Sequence, residues 1–142
     1  MPVPKAHFHD LQDRSVLISG GGSGIGAALV EGFVHQGARV AFVDIDEGAS
    51  RELVERLAAT AGTAPHYIQA DLRDIDAVRN AARTAATVLG TVHVLVNNAA
   101  RDDREPLESV TEESWDESQA VNLRHLFFMS QAVANEIRAQ GG

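Results

Sequence analysis

Apolar residues along this chain follow two alternating rhythms, short unbroken runs and longer stretches with helical spacing. Residues 15–19, Ser-Val-Leu-Ile-Ser, form a run that glycines end at once, as in a strand buried on both faces. Residues 24–36 follow as a predicted helix, with Ile25, Leu29 and Phe33 on one face and Gly37 as its stop. The pattern predicts a second strand over 39–44 and a helix over 49–61 with Leu53, Val54 and Leu57 as its stripe. Residues 66–70 read as a weaker third strand, 75–89 as a third helix and 92–97 as a fourth strand. Thr111 is placed to cap a long last helix running towards Gln140. This βαβαβαβα order predicts one α/β domain over residues 1–142, a Rossmann-like doubly wound parallel sheet of strand order 3-2-1-4. Ligands of such sheets bind at the carboxyl ends of the strands, where the order reverses.

The first strand runs directly into Ser19-Gly-Gly-Gly-Ser-Gly-Ile-Gly26. Glycines also mark ordinary turns, but between a strand and a helix they read as a phosphate-binding turn. Gly20 permits the tight bend, Gly24 lets the backbone between Ser23 and Ile25 approach a pyrophosphate, and Gly26 lets helix and strand pack closely. The helix N-terminus adds unpaired N–H groups and partial positive charge. Asp44 ends the second strand eighteen residues beyond Gly26, where a carboxylate accepts from both ribose hydroxyls and repels a 2′-phosphate. No cation stands beside it, since Ile45 follows and Ser23 fills the turn. NAD is therefore the expected cofactor. Asp71-Leu72 closes the third strand; it offers a carboxylate to an adenine amino group and an apolar side chain to the ring, or else Asp71 caps a turn. Asn97-Asn98-Ala99-Ala100 ends the fourth strand beside the first, where small residues leave room for a ribose and nicotinamide. An Asx turn ending a strand would look the same. No Gly-Lys-Ser/Thr follows the glycines, which excludes a P-loop nucleotidase.

Composition narrows the partners. With 142 residues, 44% hydrophobic and 23% charged, the chain is long enough for one buried core. A formal net charge of −8 argues against a nucleic-acid partner, though not against an anionic cofactor held by backbone N–H groups. The absence of cysteine excludes disulfides, thiolate chemistry and cysteine-based zinc sites, and a cytoplasmic setting is expected. The first thirteen residues hold no apolar run for a signal peptide. Nothing approaches the roughly 18 apolar residues of a membrane span. His7 and His9 pair only by spacing, and His35, His66, His93 and His125 are scattered, so no metal site is expected.

Together these motifs resemble the short-chain dehydrogenase/reductase family. Its first turn reads T-G-x-x-x-G-x-G; Ser19 stands at the threonine, and Gly20, Gly24 and Gly26 match. Asp71 and Leu72 match its adenine-contacting pair, and residues 97–100 its N-N-A-G, with Ala100 adding a methyl group at the last position. Asn122, in Ala-Val-Asn-Leu-Arg, falls on the family's helical asparagine. The resemblance implies that Asn122 holds a backbone kink and a water of the catalytic proton relay. Without it, an asparagine amid Val121, Leu126 and Phe127 reads as a satisfied buried polar group. Within the family, the glycine turn, Asp102-Asp103-Arg104, Trp115-Asp116-Glu117 and residues 121–125 are similar to bacterial D-xylose and related aldose 1-dehydrogenases. Those enzymes oxidise an anomeric hydroxyl to a lactone and pass hydride to NAD. The likeness implies a sugar or polyol as small-molecule substrate and a homo-oligomer, with the 102–104 loop facing substrate or merely solvent.

The family's acid–base motif is Y-x-x-x-K, with a serine one strand earlier. Here the only tyrosine is Tyr67 and the only lysine is Lys5, so the motif cannot be written. The resemblance covers the front half of the family's domain. It sets the expectation of the NAD-binding part of a larger dehydrogenase, inactive as 142 residues alone. The alternative is a non-catalytic dinucleotide-binding module or sensor. A front half alone would leave the fourth strand as an open edge and Leu123, Leu126, Phe127 and Met129 short of packing.

Overall fold

The structure, a computed structural model, describes residues 6–141; Lys5 and Gly142 lie outside the described residues. Strands and helices alternate as β1 (Ser15–Ser19), α1 (Gly24–His35), β2 (Arg39–Asp44), α2 (Glu47–Ala61), β3 (His66–Gln69), α3 (Ile75–Leu89), β4 (Val94–Asn97), α4 (Glu112–Gln119) and α5 (His125–Ala139). Every strand pair is parallel, and the order is β3-β2-β1-β4, as expected. Ile18 in β1 sits beside Phe42 of β2 on one side and Val96 of β4 on the other.

Alternate residues of the central strands serve two cores. Leu17, Ala41 and Val43 pack with Val78, Ala82 and Met129 of α3 and α5, whereas Val16, Ile18 and Phe42 pack with Val30, Val34 and Leu57 of α1 and α2. Burial on both faces explains why these strands are apolar without interruption. Each of the larger side chains contributes about 1.5–3 kcal/mol by leaving water. Polar side chains fix where the helices start. Asp46 accepts from Ala49 N at the head of α2, Asp74 accepts from Asp76 N at the head of α3, and Thr111 forms a reciprocal capping box with Ser114 at α4.

Several elements differ from the sequence pattern, and α2 begins two residues earlier than expected, at Glu47. Helix α1 buries Gly26, Val30 and Val34; Ile25 is 77% exposed, and Leu29 and Phe33 pack only at the margin of the core. The buried face begins at a glycine, which has no side chain to register as hydrophobic. The last helix is not continuous, because Ala120–Arg124 forms a π-helical turn between α4 and α5. Strand β4 starts at Val94, although His93 N still donates to Ser15 O across 2.9 Å. Met129 is fully buried, whereas Leu123 and Phe127 are each 63% exposed.

Candidate functional site

At the end of β1, Gly20 N donates to Val43 O (2.7 Å), and the chain turns towards α1 with φ +69° at Gly20. Only glycine takes that conformation without strain. A Cβ on Gly26 would overlap the carbonyl oxygen of Gly20, so the first turn of α1 lies against the bend it follows. Ser23 occupies the N-cap of α1 without a side-chain capping bond, and no acidic residue stands in the first turn. The N–H groups there are left for an external acceptor. Asp44, at the tip of β2, faces this turn. Its Oδ2 accepts from Gly22 N (2.8 Å) and its Oδ1 from Asp46 N (2.9 Å), which fixes the plane of the carboxylate.

The exit of β4 is tied to the same turn. Asn98 Nδ2 donates to Gly20 O (2.9 Å) and Ser19 O (3.2 Å), while Asn98 N and Ala99 N both donate to Ser19 Oγ (3.1 Å each). Two positions further out, Arg101 is clamped by Asn122. Arg101 N donates to Asn122 Oδ1 (2.7 Å), and Asn122 Nδ2 donates to Arg101 O (2.9 Å). Asn122 is exposed within the π-helical turn rather than buried among Val121, Leu126 and Phe127. His125, fully buried, bonds Ser19 Oγ through Nε2 (3.1 Å) and Val121 O through Nδ1.

A chain of charges borders the opposite side. Asp71 pairs with Arg73 (2.7 Å), Arg73 with Glu117 of α4 (3.1 Å), and Glu117 with Arg101 (2.5 Å), which also pairs with Asp103. Hydrogen bonds from the Arg73 guanidinium hold the Asp71 carboxyl below its usual range, and those from Arg101 do the same for Glu117. Asp71 Oδ1 also accepts from Arg73 N (2.9 Å), so the residue does close a turn. Asp102 and Arg104 pair loosely with each other at 3.5 Å in the exposed loop.

The carboxyl ends of the strands border one cleft of about 490 Å³. Gly20, Ser23, Ile25 and Gly26 line it from the turn, Asp44 and Ile45 from β2, Asp71 and Leu72 from β3, and Asn98, Ala99 and Ala100 from β4. Gly24 and Asn122 are not part of the lining. Gly24 has φ +53° with open space where a side chain would project, and Asn122 reaches the cleft through Arg101. A dinucleotide fits this arrangement. The cradle at Gly20 and Gly26 is one that side chains would fill, the helix N-terminus lacks a protein anion, and a carboxylate stands where hydroxyl donors would meet it. Among the described residues no group of three acidic or histidine side chains is placed to hold a metal, and no helix is long and apolar enough to cross a membrane.

The short chain dehydrogenase family pattern matches residues 14–142. The chain belongs to this family. A probable galactose dehydrogenase of Rhizobium meliloti is 66% identical over 142 residues, covering all of this chain and 56% of that protein. D-xylose 1-dehydrogenase of Caulobacter vibrioides is 44% identical over 140 residues, covering 99% of this chain and 54% of its own length. The chain thus spans about half the length of these curated relatives. Among solved structures, a short chain dehydrogenase from Burkholderia cenocepacia in complex with NADP superposes with a TM-score of 0.83 at 35% identity, covering 88% of this chain and 51% of that one.

Sequence patterns did not single out His125, Arg73 or Arg101. The one usable signal was a histidine three residues beyond Asn122, just before the apolar run Leu126-Phe-Phe-Met129.

Proposed function

We propose that the chain is the NAD-binding part of a short-chain dehydrogenase that oxidises a sugar or similar polyol. Asp44 carries the choice of NAD. Its carboxylate borders the cleft with its plane fixed by two backbone N–H groups, and its neighbours Ile45 and Ser23 bring no cation to it. Such a group accepts from two ribose hydroxyls and repels a phosphate in their place. The NADP-bound relative shows that the family scaffold also serves the other dinucleotide, so this corner has to make the distinction. Similarity to galactose and D-xylose dehydrogenases supports the substrate class.

In this reading Gly20, Ser23, Gly24, Ile25 and Gly26 hold the pyrophosphate through the helix N-terminus, Asp44 and Ile45 the adenosine ribose, and Asp71 and Leu72 the adenine. Asn98, Ala99 and Ala100 border the nicotinamide side, and Asn122 holds the backbone beside them and serves the proton relay. Bound NAD would supply a hydride acceptor for the substrate's carbinol carbon, and an aldose oxidised there would become its lactone with loss of one proton. Tyr67 does not take that proton. It donates to Asp44 O (3.3 Å), and burial pushes its hydroxyl pKa up, the wrong direction for a base. A group outside these 142 residues takes it in the complete enzyme, so the chain alone turns nothing over. A cytoplasmic homo-oligomer, with Leu123 and Phe127 covered by a neighbour, completes the reading.

Titration with NAD and with NADP tests the cofactor. NAD is expected to bind more tightly, and Asp44→Ala to weaken it by at least about 10- to 100-fold, the loss of even one of its two charged hydrogen bonds being about 1.5–3 kcal/mol. Tighter binding of NADP, or unchanged NAD affinity in the variant, overturns the assignment. Aldose-dependent reduction of NAD tests the chemistry. Because no Y-x-x-x-K occurs in this sequence, binding without turnover by the complete protein would favour a dinucleotide sensor instead.

A further inference from the structure

We infer that His125 is a positioning residue that locks the glycine turn to the helix carrying Asn122. The inference deepens the reading of the cleft as a dinucleotide site and rests on it. Ser19 and His125 lie 106 residues apart in sequence, and both are fully buried. The partners settle the imidazole's tautomer. Val121 O only accepts, so Nδ1 carries the hydrogen, and Nε2 offers a lone pair. Ser19 Oγ–H must then donate to Nε2, which leaves both hydroxyl lone pairs for the two N–H groups that reach them, Asn98 N and Ala99 N. Every donor and acceptor in this buried cluster is used once, in one direction.

The cluster joins three segments that must keep their spacing for the cleft to keep its shape. Ser19 opens the glycine turn. Asn98 and Ala99 line the cleft at the exit of β4. Val121, which also lines it, belongs to the π-helical turn that presents Asn122 to Arg101. The Asn122–Arg101 clamp is exposed, whereas the His125–Ser19 bond is sealed from water, and a bond of that kind transmits position with the least slack.

Asparagine and glutamine separate the two bonds of the imidazole. The amide of Asn reaches the Nδ1 position and keeps the contact to Val121 while losing Ser19, whereas Gln reaches the Nε2 position and keeps an acceptor for Ser19. The experiment has two arms. In the first, 15N-detected NMR of the protein without nucleotide should show His125 protonated on Nδ1. There Ser19→Ala should also shift the amide resonances of Arg101 and Asn122. A proton on Nε2, or unmoved Arg101 and Asn122, overturns the inference. The second arm measures NADH affinity by fluorescence for Ser19→Ala, His125→Asn, the double variant and His125→Gln, with circular dichroism confirming that each is folded. Each single loss is expected to weaken NADH about tenfold, the double variant to be no worse than either, and Gln to recover most of the affinity. Independent losses that multiply to about a hundredfold in the double variant, or unchanged affinity in His125→Asn, also overturn it. If the spectra behave as expected but wild-type protein binds no NADH, the lock stands and the dinucleotide reading fails.

Discussion

A methyl group at Gly26 has nowhere to go. It would overlap the Gly20 carbonyl oxygen and press on Asn98 Nδ2 at 2.7 Å, and neither neighbour is the loose end of a flexible side chain. The carbonyl is backbone, and Asn98 is committed to Ser19 O and Gly20 O. Gly26→Ala must therefore push α1 off the turn, and a cost of about 1–3 kcal/mol is expected, as for overpacking elsewhere in proteins. Chemical denaturation measures it; a change below about 0.5 kcal/mol would show that the turn yields. At this scale the sequence was informative where residue type is dictated by steric exclusion or by charge. Gly20, Gly26, Asp44, Asp71 and Asn98 could be placed at one cleft because strand ends converge there in a parallel sheet. His125 could not, since its role depends on a hydroxyl 106 residues away and on which ring nitrogen carries hydrogen. Neither property leaves a trace in local pattern.

Helix α4 is held differently from the others. None of its residues is buried, and it meets the strand exits largely through Glu117, which bridges Arg73 beyond β3 and Arg101 beyond β4. Exposed ion pairs of this kind contribute little to global stability and weaken with salt. Their effect should be local. Glu117→Gln is expected to speed hydrogen exchange across α4 while leaving the protection of β1 and β2 unchanged, a difference that mass spectrometry resolves. Unaltered exchange in α4 would mean that the capping box at Thr111 and the π-helical turn hold the helix without the bridge. The same segment shows why one element escaped the hydrophobic pattern. Wider winding over five residues shifts hydrogen-bond register without changing which residue types are apolar, so the 111–140 stretch reads as a single helix. The bounds of β1 and β2 were more legible, because each has an unbroken apolar centre, Val16 to Ile18 and Val40 to Val43, with glycine following β1 and aspartate closing β2.

For the whole molecule, acid should be destabilising before the exposed carboxylates titrate at their ordinary values. His125 is buried neutral, and burial lowers its pKa from the ordinary 6.5 more than the bond to Val121 O raises it. As pH falls below 6.5 the unfolded chain takes up a proton at this histidine and the folded chain does not. The unfolded state then binds more protons, and folding stability drops with pH until the folded value is passed. Asp71 and Glu117 add losses of the same sign further down, because both carboxyls are held below their usual values in the folded protein. Their loss sets in only as pH falls through the ordinary carboxylate values and continues to the lower folded ones, so a decline that begins between pH 7 and 5 belongs to histidine. Urea midpoints measured across that interval should fall steadily for the native sequence and stay nearly flat for His125→Gln, which lacks the buried imidazole. A native profile as flat as the variant's would mean that His125 accepts a proton in place, and that the Ser19 hydroxyl turns to follow it. Parallel slopes in the two proteins would show that the decline does not come from His125.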